Sequence, residues 1–176
     1  MYNKIKVYHL IFCLYFILFL YFYSSPLLIA SIKGYTDIVQ LLLLNQQCNI
    51  NIKNQFDSTS ILLATMNGHY DIVKILIDHK ANINKLDKDH HNTINYAIEK
   101  EDIELLSLLI NANANVNNID KYGNTPLFWA TTKGNITMIK MLLNANADVN
   151  LCNKYGEKPY DIAETEEIKS YLLLPC

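Results

Sequence analysis

Asp120-Lys121-Tyr122-Gly123-Asn124-Thr125-Pro126-Leu127-Phe128-Trp129-Ala130 carries, in order, the signals of a loop and then of a helix start. Gly123 suits a loop that demands positive φ. Thr125 can cap a helix, and Pro126 fits its first turn, where a missing N–H costs nothing. One helix length later comes Lys133-Gly134-Asn135, where glycine ends the first helix and lets the chain reverse. Ile136-Thr137-Met138-Ile139-Lys140-Met141-Leu142-Leu143 then places apolar residues at i, i+3 and i+7 from Ile136 and at i, i+3 and i+4 from Met138, which predicts a second helix. Ala147-Asp148-Val149-Asn150 closes the unit.

This unit recurs with a period of 33 residues. Asn51, Asn84, Asn117 and Asn150 keep that spacing, and so do Ala64, Ala97, Ala130 and Ala163. The earlier copies carry the same helical pattern, as in Asp71-Ile72-Val73-Lys74-Ile75-Leu76-Ile77. The repeated alanine lets two helices approach closely. The remaining Leu and Ile positions bury one face within the unit and another against the next, so the core grows in one dimension and no unit is stable alone.

In these motifs the chain resembles the ankyrin repeat family, whose signature is T-P-L-H-x-A, a glycine turn, an I-V-x-L-L helix and an A-D-V-N loop. The expectation is an all-α solenoid of helix-turn-helix units joined by loops. Residues 25–176 divide into a partial unit (25–53), three full units (54–86, 87–119, 120–152) and a shortened C-terminal cap (153–176). The first unit carries one extra residue near Gln46 to Cys48, since Gly34 and Gly68 lie 34 apart. Repeat three departs most: His90 stands in the register of Gly123, Asn92 and Thr93 in that of Thr125 and Pro126, and Glu101 in that of Gly134. It is therefore expected to be the weakest central unit.

Residues 1–24 are different. Val7 to Tyr23 is apolar on every side except at His9, with Lys4 and Lys6 before it. As a helix this segment must be buried in lipid, in protein or in a partner. It reads as an uncleaved membrane anchor, so residues 7–23 are expected to contact a membrane as a separate N-terminal hydrophobic helix. A cleaved signal, which would need a small-x-small site that Ser24-Ser25-Pro26 does not supply, and a non-membrane segment or a mis-set gene start are the alternatives. Family resemblance and four cysteines without pairing pattern (Cys13, Cys48, Cys152, Cys176) favour a cytoplasmic repeat region.

Composition narrows the function. The 176 residues include 15 Lys and no Arg and carry a net charge of −2, so guanidinium forks for phosphate are missing and a nucleic-acid binder is not expected. No C-x-x-C pair, nucleophile–base arrangement or cofactor motif occurs, so no catalytic, cofactor or metal residues are assigned. Asp87, Asp89, His90 and His91 form one metal-ligand-like run, read as a solvated loop tip because neighbouring loop residues rarely converge on one ion. His69 reads as the family's turn histidine.

The resemblance implies a non-enzymatic scaffold that holds a protein partner on the loop tips and the exposed side of the first helices. The candidates by register are Phe56, Lys88, Asp89, His91, Lys121, Tyr122, Asn124, Lys133, Lys154 and Tyr155. Phe56, Tyr122 and Tyr155 share one register and would line up as aromatic anchors, a residue class enriched at binding hot spots. The alternative is a substrate-targeting adaptor of a ligase system or a secreted effector. The repeat domain is expected to be monomeric.

Overall fold

A computed structural model describes residues 25–173. Among them are nine α-helices and one isolated antiparallel bridge between Lys53 and Thr59. The helices run in pairs: α1 (Pro26–Lys33) with α2 (Thr36–Leu43), α3 (Ser60–Met66) with α4 (Tyr70–Asp78), α5 (Thr93–Glu99) with α6 (Ile103–Asn111), and α7 (Pro126–Thr132) with α8 (Ile136–Asn144). A single helix, α9 (Glu166–Leu173), ends the stack. The apolar segment 7–23, with its expected membrane contact and N-terminal helix, lies outside the described residues. No helix among the described residues is long and apolar enough to cross a membrane.

The 33-residue period is visible in the core. Leu76, Leu109 and Leu142 are fully buried in one register, and Val73, Leu106 and Ile139 in another. Ala30, Ala64, Ala97 and Ala130 are buried where first helices meet. The first helices α1, α3, α5 and α7 pack on one another more closely than the second helices do, so the stack curves toward the first-helix side. Each pair is joined by a left-handed turn residue: Gly34, Gly68, Glu101 and Gly134 all have positive φ, between 55° and 76°. At Gly34 glycine is demanded twice, because a Cβ would meet the His69 ring at 2.8 Å. His69 itself bonds through Nε2 to the carbonyl of Ile32 at 2.9 Å and ties repeat two to repeat one.

The recurring asparagines are joints between units. Asn51, Asn84 and Asn117 each accept, through Oδ1, the backbone N–H of a residue in the following unit: Asn82 at 2.8 Å, Asn115 at 2.7 Å and Asp148 at 2.8 Å. Within each unit the side chain two residues earlier accepts the marker's own N–H, as Asn115 does from Asn117 at 2.9 Å. Second helices exit through positive-φ residues at Lys80, Asn113 and Asn146. The first unit has no such residue; α2 ends at Leu43, and the extra residue is absorbed in a turn closed by Cys48 N–H on the Asn45 carbonyl at 2.9 Å.

Repeat three is locally better satisfied than its sequence suggests. Asn92 and Asn95 form a reciprocal capping box at the start of α5. Asn92 Nδ2 also donates to the Asn115 carbonyl at 2.9 Å, and the Thr93 hydroxyl to the Ile83 carbonyl at 3.2 Å. The departures from the family pattern are thus partly compensated by new bonds. What remains unfavourable is Glu101, held at φ 55° with a full side chain, and Asn95 Nδ2, a buried donor with no partner.

Candidate protein-binding face

The loops that precede α3, α5 and α7, and the corresponding loop of the C-terminal cap, are each built around a hub side chain at one register: Asn54, Asp87, Asp120 and Asn153. In every case Oδ1 accepts two backbone N–H groups, those two and four residues on, at 2.8 to 3.0 Å. The hub's own N–H then donates to the carbonyl four residues on, closing the loop. This geometry forces positive φ three residues after the hub, at Asp57, His90, Gly123 and Gly156. His90 therefore does what Gly123 does, in the left-handed region that histidine tolerates better than most residues. Gly123 is irreplaceable for a second reason: a Cβ there would lie 2.9 Å from the Lys154 nitrogen.

Successive tips are tied by backbone. Lys88 N–H donates to the Phe56 carbonyl at 3.1 Å, Lys121 N–H to that of Asp89 at 3.1 Å, and Lys154 N–H to that of Tyr122 at 2.9 Å. The tips thus form one ladder along the stack, and Phe56, Lys88, Asp89, Lys121, Tyr122, Lys154 and Tyr155 are neighbours on it. Phe56, Tyr122 and Tyr155 are 48%, 46% and 76% exposed. Asp89 occupies the same register in repeat three and interrupts the aromatic line.

Asp89 pairs across units with Lys121, whose Nζ lies 2.6 Å from Oδ1 and 5.2 Å from the centre of the Tyr122 ring. That hydrogen bond and the lysine's charge hold the Asp89 carboxyl below the usual carboxylate range and raise Lys121 in turn. His91 is half-buried, edge-on to Tyr96 and Trp129 with ring centres 5.7 and 6.1 Å away. Its Nε2 lies 4.0 Å from Asp120 Oδ2. Asn124 is committed to its own loop, donating through its backbone to Asp120 Oδ1 at 2.9 Å. Lys133 stands apart from the tips, at the far end of α7, with Nζ 3.5 Å from Glu101 Oε1.

In the metal-ligand-like run, Asp87 receives Asp89 N–H, His91 N–H and the Tyr96 hydroxyl, while Asp89 is held by Lys121. No group of three or more ligating side chains converges among the described residues. Burial and the Asp87 acceptor push the Tyr96 hydroxyl far above its ordinary value, so it stays a donor.

Tyr96 and Trp129 were not among the sequence candidates, yet they form the floor of this face beside the tips. Each donates from a first helix to the hub of its own loop, Trp129 Nε1 to Asp120 Oδ2 at 3.0 Å and the Tyr96 hydroxyl to Asp87 Oδ2. The signal was present as the shared 33-residue register of 87 with 120 and of 96 with 129.

Comparison with known proteins agrees with this geometry. The chain is similar to Drosophila melanogaster "Ankyrin repeat and KH domain-containing protein mask", 39% identical over 61 residues, which are 35% of this chain and 2% of that protein. It is 34% identical over 64 residues to "Probable E3 ubiquitin-protein ligase XBOS33" of Oryza sativa subsp. japonica, covering 36% of this chain and 12% of the relative. Over 77 residues it is 34% identical to "Alpha-latrocrustotoxin-Lt1a" of Latrodectus tredecimguttatus, covering 44% of this chain and 5% of the toxin. The chain therefore spans only a small fraction of the length of these relatives. The family model for ankyrin repeats (three copies) matches residues 27–120 and 94–174, and with the paired helices and laddered loops already described, the chain belongs to the ankyrin repeat family.

Proposed function

We propose that the chain is a non-enzymatic interaction scaffold that holds a polypeptide partner on its loop tips and first-helix face. The observation that carries this reading is the exposure of Phe56, Tyr122 and Tyr155 in one register on a hydrogen-bonded backbone ladder. Rigid aromatic side chains on a fixed frame bury large area with little loss of conformational freedom, which is what a hot spot needs.

Affinity capture with the full chain as bait, followed by mass spectrometry, supplies the partner. Tyr122→Ala and Tyr155→Ala should each weaken its binding by about 2 kcal/mol, with the helical circular dichroism signal unchanged. Unchanged affinity in both variants would move the site off the tips. The second reading, a substrate-targeting adaptor of a ligase system, draws support from two relatives named as E3 ubiquitin-protein ligases, similar over 36% of this chain. Recovery of ligase components in the same capture would favour it, and recovery of secretion machinery would favour a secreted effector.

A further inference from the structure

The hub register is answered everywhere except in repeat two. Asp87 Oδ2 receives the Tyr96 hydroxyl, Asp120 Oδ2 receives Trp129 Nε1, and Asn153 Nδ2 donates to Glu157 Oε2 at 2.9 Å. In repeat two the residue in the register of Tyr96 and Trp129 is Leu63, and the residue in that of Glu157 is Ser58. Neither answers the hub. Asn54 is 7% exposed, and its Nδ2 has no hydrogen-bond partner. The amide cannot be turned around to remove the problem, because Oδ1 already accepts from Phe56 N–H and Ser58 N–H, both at 2.9 Å. The unanswered atom is a buried donor, a state that native structures rarely leave uncompensated.

Beside Leu63 lies a cavity of about 320 Å³, lined by Asn54, Phe56, Leu63, Met66, Asp87 and Tyr96. It is at the bottom of the size range of small-molecule pockets, suited to one large side chain. Phe56, Leu63, Met66 and Tyr96 are its apolar and aromatic lining, and Asn54, whose Nδ2 lies beneath the surface, is the nearest unanswered donor. Asp87 adds an acceptor site, since its two oxygens receive three hydrogens and a carboxylate has room for about four.

We infer that this cavity is a socket for one tyrosine side chain of the bound polypeptide, an inference that rests on the interaction reading above. The ring lies among Phe56, Leu63, Met66 and Tyr96, in the place that repeats three and four fill with their own Tyr96 and Trp129. Its hydroxyl accepts from Asn54 Nδ2 and donates to the Asp87 carboxylate. A phenylalanine fills the space but leaves Asn54 unanswered. The buried Asp87 carboxylate disfavours a carboxylate or a phosphorylated tyrosine at the same depth, while Lys88 also lines the cavity and Asp89 is already paired with Lys121.

The test uses p-cresol, the side chain of tyrosine, and toluene as its hydroxyl-free counterpart, titrated into the full chain labelled with ¹⁵N and ¹³C. p-Cresol should bind with a Kd of about 1 to 10 mM, a range suited to a fragment of this size. It should shift the Asn54 side-chain amide and the Leu63 and Met66 methyl signals, and bind about tenfold more tightly than toluene. Leu63→Tyr supplies the missing ring from the chain itself and should abolish the shifts; Leu63→Phe fills the same space conservatively and should do the same. No shift at Asn54, equal binding of both probes, or full binding to a folded variant would overturn the socket. A captured partner that is lost with Tyr122→Ala but retained with Leu63→Tyr would overturn the socket alone, leaving the binding face in place.

Discussion

Glu101 shows how a single residue departs from its register without breaking the fold. It holds the left-handed turn that Gly34, Gly68 and Gly134 hold elsewhere, and in return its side chain makes an exposed contact with Lys133 and Asn135. Glu101→Gly should therefore raise stability by about 0.5–1 kcal/mol in urea unfolding, since an exposed ion pair contributes little and the relieved backbone contributes more. Asn92→Thr should act the other way. Threonine keeps the cap but loses the bond to the Asn115 carbonyl, and the same assay should show a loss of about 1 kcal/mol. The exposed Asp89 makes a prediction in pH. Its carboxyl is held down by Lys121, so the stability it adds is present above the unfolded carboxylate value and lost as pH falls through the lowered folded value. Carboxyl ¹³C titration should place Asp89 below the usual range at low salt, and Lys121→Ala or high salt should return it there.

At the scale of the element, the joints between units matter more than the helices, which are only seven to nine residues long. Helices this short are marginal alone, so their stability comes from packing against the next pair. The asparagine ladder sets the spacing of those pairs. Asn117→Ala removes an acceptor for Asp148 N–H and a donor to the Asn146 carbonyl, and should lower the unfolding midpoint by an amount equivalent to about 1 kcal/mol. Hydrogen exchange should localise the loss to α7 through α9; exchange quickened equally along the stack would mean that the ladder is not a joint. The sequence made these elements legible because Gly, Pro and Thr mark local backbone events. It also announced the asparagines, but only as markers, because a bond spanning 31 residues leaves no local trace. The compensations in repeat three were hidden for the same reason: Asn92 reaches Asn115 and Thr93 reaches Ile83 across the fold.

At the scale of the molecule, repetition explains which parts of the candidate face could be read in advance. Registers predicted the tip residues, and the ladder brings most of them together. Lys133 fell outside because one helix, roughly 10 Å at 1.5 Å per residue, separates it from the tips. Tyr96 and Trp129 shared a register with each other but not a visible link to their hubs nine residues earlier, a link that only the folded helix makes, and the cavity beside Leu63 left no mark in the sequence. Under the proposed function, recognition takes place on the tips and first helices, and the second helices are the supporting back of the stack. Hydrogen exchange of the full chain, free and bound to its captured partner, tests this most directly. Slowed exchange should fall on the tip segments 54–58, 87–91, 120–124 and 153–157 and on α3, α5 and α7, with α4, α6 and α8 unchanged. Protection confined to α4, α6 and α8 would place the partner on the opposite side and contradict the account.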